Sequence, residues 1–272
     1  MPSSPALTVE RDRFQAPSGE LAEAPCVTCG TERSGPYCSQ CGQRVRPRLA
    51  VPGLVAEAAQ HVLSLDSGLL RTTVDLVRRP AGLIRDLFAG RTVRYAGPVR
   101  YFLVAVTAAQ LLALALGDVS EMAGGFTSAY YGGSGNETDA ARVAVNIERF
   151  WVFAFVGLVP FVVLWSRLLL RRAGLTLAEH AVAHLYLLGQ TAFFVGLALG
   201  LGHLAYEAVG EPGDVIAVVC LVLPLVLYLW ASVGIFRRGR VWSPLATTLS
   251  LGLGFLSYSF VLALVLVALG HA

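Results

Sequence analysis

The chain has 272 residues, and hydrophobic residues make up 55% of it against 14% charged. Soluble domains average about 25% charged, and the mean hydropathy here is +0.63. Together these values exclude a disordered chain, a fibrous repeat and an ordinary water-soluble enzyme. The net charge is +3, and all 21 basic residues are Arg. Ala, Gly, Val, Leu and Arg abundance suits a GC-rich bacterial genome. The expected class is an all-α integral membrane protein with a polar N-terminal third.

Residues 1–25 are rich in Pro, Ser and alternating charge and predict a disordered tail with no secretory h-region. The first apolar span then serves as the insertion signal. Residues 26–42 carry two copies of Cys-x-x-Cys-Gly, Cys26 to Gly30 and Cys38 to Gly42. Two thiolates two residues apart grip one ion from a tight turn. The Gly after each pair permits positive φ and lets amide N–H groups point at sulfur. Two such turns complete a tetrahedral four-sulfur shell suited to one structural Zn²⁺, with Cys26, Cys29, Cys38 and Cys41 as ligands. Iron is the other metal such a shell takes. A pair of disulfides would use the same thiols, and a reducing cytoplasm disfavours them. A closed shell of this kind has no open position for catalysis.

Residues 43–100 predict basic amphipathic juxtamembrane helices. Ten Arg lie between Arg44 and Arg100, against Glu57, Asp66, Asp75 and Asp86. Three apolar sets recur at helical spacing. They are Leu54, Val55, Ala58, Val62 and Leu65; then Leu69, Leu70, Thr73, Val74 and Val77; then Leu83, Ile84, Leu87 and Phe88. Asp66 is placed to cap the second helix and Pro80 to open the third. Arg71, Arg78, Arg79, Arg85, Arg91, Arg94 and Arg100 are expected at the membrane surface. Each would contribute about 1 kcal/mol near an anionic leaflet. The blander alternative packs these helices on the bundle, with Arg merely enforcing topology. No aromatic interleaving points to nucleic acid.

Residues 101–270 predict a helical bundle of about five spans: 101–117, 150–170, 181–206, 215–236 and 244–269. Pro160 makes the second the weakest. Arg-rich connectors follow the second and fourth spans, and acidic ones follow the first and third. This alternation predicts a cytoplasmic N-terminus and an outside C-terminus. Just before the third span, Thr176 to Glu179 reads as a capping box. His180 and His184, four apart, share a helix face. With Glu179 they form a candidate polar site, weighed against simple packing histidines. Gly196-x-x-x-Gly200 and Gly252-Leu-Gly254 read as helix contacts.

Gln43, Asp66-Ser-Gly68, Thr72-Thr73, Pro80, Gly90-Arg91, Arg94-Tyr95 and Pro98 together resemble a family of uncharacterised bacterial membrane proteins. Its members carry an N-terminal zinc ribbon, an Asp-x-Gly…Thr…Pro…Gly-x-Arg-x-x-Tyr…Pro stretch and several spans. Glu179-His180…His184 is similar to that family's His-bearing helix. The resemblance implies the architecture and no reaction. The leading expectation is therefore an inner-membrane scaffold or adaptor, not an enzyme. Its zinc ribbon would recruit a cytosolic protein beside an anionic inner leaflet. A homo-oligomer fits this picture, and nucleic acid does not. The alternatives are a small transporter or lipid-handling protein, and a membrane metalloenzyme using His180 and His184.

Overall fold

A computed structural model describes residues 25–32, 37–43, 68–116, 152, 155–209, 212–237 and 239–268. The expected tail, the first apolar set from Leu54 to Leu65, the Asp66 cap and the loop 118–149 lie outside the described residues. So do His61 and the side chains of His203 and Cys220.

Among the described residues the fold is helical, with the Cys-bearing turns at its N-terminal edge. Two short helices come first, α1 (Gly68–Arg78) and α2 (Pro80–Phe88). Pro80 opens α2 as the sequence predicts, because its missing N–H and fixed φ suit a first helical position. Five longer helices follow: α3 (Pro98–Leu116), α4 (Phe155–Leu169), α5 (Leu177–Val209), α6 (Pro212–Phe236) and α7 (Trp242–Ala268). Each falls on one of the five apolar runs. Two stretches, Leu177–Ala198 and Trp242–Leu262, are long and apolar enough to cross a membrane. The apolar stretches in α3, α4 and α6 are shorter: Pro98–Leu112, Phe155–Leu169 and Val222–Phe236.

Side-chain contacts fix the directions. α3 and α5 run parallel: Gly189 faces Phe102 and Gly196 faces Ala109, the same offset of 87 in both. α6 runs antiparallel to α5, because Tyr228 meets His184 while Phe236 meets His180. α4 and α7 are antiparallel, with Gly157 at Tyr258 and Gly254 at Val162. The Trp165 indole donates across this contact to Ser257 Oγ at 2.9 Å. The five long helices thus alternate up and down in chain order. The end of α4, the start of α5 and the end of α6 gather at one pole, and Gly234 brings the start of α2 (Ala81) there too. Arg171, Arg172, Arg237 and Arg240, in the connectors at that pole, are all exposed.

Helix α5 is the spine. Its 33 residues extend about 50 Å at 1.5 Å per residue. By the offset of 87, Leu177 is level with residue 90, so α5 starts eight residues ahead of Pro98. That is about 12 Å. The capping box forms as expected: the Thr176 N–H donates to Glu179 Oε2 at 2.7 Å, and the Glu179 N–H donates to Thr176 Oγ1 at 3.2 Å.

Two details differ from the periodicity reading. α1 buries Thr72 and Leu76, while Leu70, Val74 and Val77 face out. Both sides of this helix carry apolar residues, so spacing alone does not say which turns inward. Gly252 was expected at a helix contact, yet a Cβ there would meet nothing within 4 Å; the contact is made by Gly254.

Gly196 is the tightest point of the α3–α5 seam. A Cβ there would lie 2.6 Å from Ala109 Cα, which is backbone that cannot swing aside. Gly196→Val is expected to lower the thermal midpoint of the purified protein, at a cost of about 1–3 kcal/mol from overpacking. Gly252→Ala should be neutral or slightly stabilising, since helix propensity favours Ala by up to about 1 kcal/mol. Equal behaviour of the two variants would contradict this packing.

Candidate metal centre and its clamp

The two Cys-x-x-Cys-Gly segments fold into matching knuckles. In the first, the Gly30 N–H donates to the Cys26 carbonyl at 2.8 Å, and the Cys26 N–H donates to the Thr31 carbonyl at 2.9 Å. In the second, Gly42 pairs with Cys38 and Cys38 with Gln43, both at 2.9 Å. Gly30 and Gly42 hold φ of 75° and 70°. That left-handed region suits Gly because it has no Cβ to clash.

The four ligand sulfurs lie within 4.8 Å of one another. Cys26 and Cys41 are 3.6 Å apart, and Cys29 and Cys38 are 3.5 Å apart. These are not disulfides, whose sulfurs sit at about 2.05 Å. A tetrahedral ion with sulfur at about 2.3 Å has sulfur–sulfur edges of about 3.8 Å. The cluster therefore fits one metal ion.

Its electrostatics ask for a cation. The Thr31 hydroxyl and then its amide hold the Cys29 thiol down to about 6. Burial raises Cys26, but the Cys29 and Thr28 amides outweigh it and leave it lowered. The Gln43 amide favours a Cys41 thiolate, yet burial and the three neighbouring thiols push Cys41 up to about 12. Four negative sulfurs this close are incompatible without a positive charge among them.

Gln43 is the residue that ties this centre to the helices. It is fully buried. Its Nε2 donates to the Gly90 carbonyl at 2.9 Å and to Thr92 Oγ1 at 3.2 Å. Its Oε1 accepts from the Thr28 hydroxyl at 3.2 Å and from the Thr92 and Val93 amides at 3.2 and 3.3 Å. One side chain thus joins both knuckles to the turn after α2. Gly90, at φ 82°, permits that turn.

Arg91 adds a second tie. Its Nε donates to the Val27 carbonyl at 3.0 Å, and its Nη1 pairs with Asp86 at 3.0 Å. Asp86 also accepts from the Tyr95 hydroxyl at 3.3 Å. Arg79 Nη2 donates to that hydroxyl at 2.7 Å and pairs with Asp75 at 2.9 Å. The network runs from the first knuckle to α1. One residue further, the Ala96 N–H donates to Thr72 Oγ1 at 3.0 Å, and the Tyr186 hydroxyl donates to the Ala96 carbonyl. Thr72 and Tyr186 thereby fasten the turn to α1 and α5.

The seven Arg predicted at a surface divide into three groups. Arg71, Arg78, Arg85 and Arg94 are exposed. Arg79 and Arg91 are half-exposed and spend their guanidinium groups on this network. Arg100 is a correction. It is 8% exposed, so it lies inside the helical body and not at a surface.

His180 and His184 are both fully buried and do share a face. His180 Nδ1 lies 2.8 Å from Ser166 Oγ, and His184 Nδ1 lies 2.6 Å from the Tyr228 hydroxyl. Both rings rest on Phe236, with centroids at 5.3 and 5.9 Å. They are well removed in the chain from the cysteine centre. Glu179 stays with the cap.

Sequence reasoning singled out the cysteines but not Gln43, Asp86 or Tyr95 as site residues. The signal was the repeat itself. Gln43 follows Cys-x-x-Cys-Gly where Thr31 follows the first copy, a large amide in place of a small hydroxyl.

Residues 66–109 match the model of a family described as a protein of unknown function (DUF3667). The matched segment spans α1, α2, the clamped turn and the first part of α3. No curated protein and no solved structure matches the chain.

Gln43→Ala would strand the Thr92 and Val93 amides and the Gly90 carbonyl. A fully buried orphan costs about 1–3 kcal/mol, and these part-buried groups cost less because solvent reaches them. Hydrogen exchange should speed up at 89–96 as well as at 26–43, and exchange unchanged at 89–96 would contradict the clamp. Asp75 supplies a pH test. The hydrogen bond from Arg79 is the main cause holding its carboxyl below the usual 3.8. A depressed carboxyl stabilises the fold above its unfolded value and loses that contribution as pH falls through the folded value. The thermal midpoint should therefore drop below about pH 4 more steeply in wild type than in Asp75→Asn. Parallel curves would contradict the pairing.

Proposed function

We propose that this chain is a five-span bacterial inner-membrane adaptor with a cytoplasmic N-terminus. Its Cys26/Cys29/Cys38/Cys41 centre holds one structural Zn²⁺, and the ribbon so formed recruits a cytosolic protein at the membrane surface. Zinc is favoured because four thiolates with matched tetrahedral spacing suit a d¹⁰ ion without geometric preference. Held there, the ion would supply folding energy to a segment too small for its own core, and no reaction.

The observation that carries the reading is the clamp. Gln43 and Arg91 fix the ribbon against the turn before α3, so one ribbon face is anchored. Among the described residues of the ribbon, Tyr37 is 58% exposed. Aromatic side chains on a rigid mount are the usual anchors of protein interfaces.

The membrane reading is supported by the five apolar helices alternating in direction and by the Arg-bearing connectors at one pole. The positive-inside rule makes that pole cytoplasmic. α1 adds an outward apolar stripe, Leu70, Val74 and Val77, beside Arg71 and Arg78. Such a helix suits the boundary of an anionic leaflet, its apolar side in the acyl region and its guanidinium groups at the phosphates.

The test is crosslinking in intact cells followed by capture of the full chain. Wild type should return a reproducible cytosolic protein, and Tyr37→Ala and Cys38→Ser should each reduce its recovery at least tenfold. Recovery that ignores both substitutions, or no partner at all while the ribbon retains its metal, would overturn the adaptor reading. Reporter fusions should place the N-terminus inside and the C-terminus outside.

A further inference from the structure

The buried histidines of α5 are unexplained by the adaptor reading. His180 and His184 are fully buried, yet the Nε2 of each has no hydrogen-bond partner among the described residues. A single buried orphan in a folded protein is uncommon. Here the same atom is left open twice, one helical turn apart, on rings that lean on one Phe236.

The opposite ring nitrogens are both engaged by hydroxyls, His180 Nδ1 by Ser166 and His184 Nδ1 by Tyr228. These contacts admit the tautomer in which each Nδ1–H donates to a hydroxyl oxygen. Each Nε2 then carries a lone pair. This is the arrangement that metal-ligating histidines adopt, with the second nitrogen oriented by an outer partner. Residues four apart on a helix are neighbours on its surface, so two imidazoles at this spacing can reach one ion.

We propose that His180 and His184 bind a second metal ion through Nε2, oriented by Ser166 and Tyr228. The donor set gives the class. Two neutral imidazoles suit copper or zinc, whereas Mg²⁺ and Ca²⁺ demand oxygen ligands. Glu179 beside the pair gives its Oε2 to the helix cap. The location follows from the neighbours: His180 meets Ser166 near the end of α4 and Phe236 at the end of α6. The pair therefore sits at the Arg-bearing pole and not midway along the bundle. The proposal is independent of whether the ribbon recruits a partner.

The test is metal content per chain in the purified full-length protein, after equilibration with Zn²⁺ or Cu⁺ and removal of free ion. Wild type should hold two ions with at least one of these metals. Cys38→Ser should lose one, and His180→Asn/His184→Asn should lose the other while keeping the ribbon ion. Tyr228→Phe, which preserves shape and removes only the hydroxyl, should weaken the second ion about 10- to 100-fold. X-ray absorption of the Cys38→Ser protein should then report nitrogen and no sulfur around the remaining ion. One ion per chain with either metal, lost on Cys38→Ser alone, would overturn the proposal. So would a second ion that survives the double His substitution, or unaltered affinity in Tyr228→Phe. If the double variant fails to fold, the Tyr228→Phe affinity and the absorption spectrum decide.

Discussion

Burial of the Gln43 amide is the constraint on which the N-terminal half depends. A primary amide taken out of water must place its donors and acceptor or cost several kcal/mol. Gln43 does so only where the second knuckle, the first knuckle through Thr28, and the turn at Gly90 to Val93 meet. No one of those three segments can shift without orphaning the amide. The ribbon therefore behaves as part of the helical body and not as a tethered bead.

Residues 66–109 contain the receiving half of the clamp and the residues that fasten it. Gly90 permits the turn, Arg91 reaches the first knuckle, Tyr95 bridges Arg79 and Asp86, and Thr72 takes the Ala96 amide. The segment receives the ribbon on one side and leads into α3 on the other. Its Arg residues are divided accordingly: those facing Asp75 and Asp86 hold the clamp, and those facing away remain exposed.

Much of this architecture was legible in the residues, and the failures share a cause. The five apolar runs became five helices, Thr176 and Glu179 became a cap, and Gly30 and Gly42 took the left-handed turns their position implied. These are local statements, settled by period, cap chemistry and backbone permissiveness. The burial of Arg100, the open side of Gly252 and the inward face of α1 were not readable because each depends on neighbours distant in sequence. Gly252 is open because Val162 meets Gly254 instead. α1 has apolar residues on both sides, and the choice between them is made by Ala96 and Tyr101, which take Thr72 and Thr73 as partners. Gln43 was noted only for the family resemblance, because a lone Gln after a metal knuckle shows no role until its partners are in place.

The uneven lengths of the helices bear on where the polar chemistry lies. α5 is longer than the about 30 Å of a hydrocarbon core requires, and it begins some eight residues before its parallel neighbour α3. By the same offset α5 exceeds α3 by eight residues at the Arg-bearing pole and by six at the other end, where Leu116 is level with residue 203. The buried polar residues of α5 are found at the Arg-bearing pole or just beyond: Glu179, His180, His184 and Gln190. Further along, α5 turns Gly196 against Ala109. A polar layer at the pole and a small-residue seam below it are what a bundle can hold without placing ionisable groups in lipid. The clamp reaches the same layer through Ala96, whose carbonyl takes the Tyr186 hydroxyl. Hydrogen bonds, joined by the chain link from Tyr95 to Ala96, thus run from the first cysteine knuckle to the helix that carries the histidines. Such a path does not by itself couple two sites. It does mean that disorder in the ribbon removes a support from α5 near His184, so the two polar centres share a mechanical frame whatever each one binds.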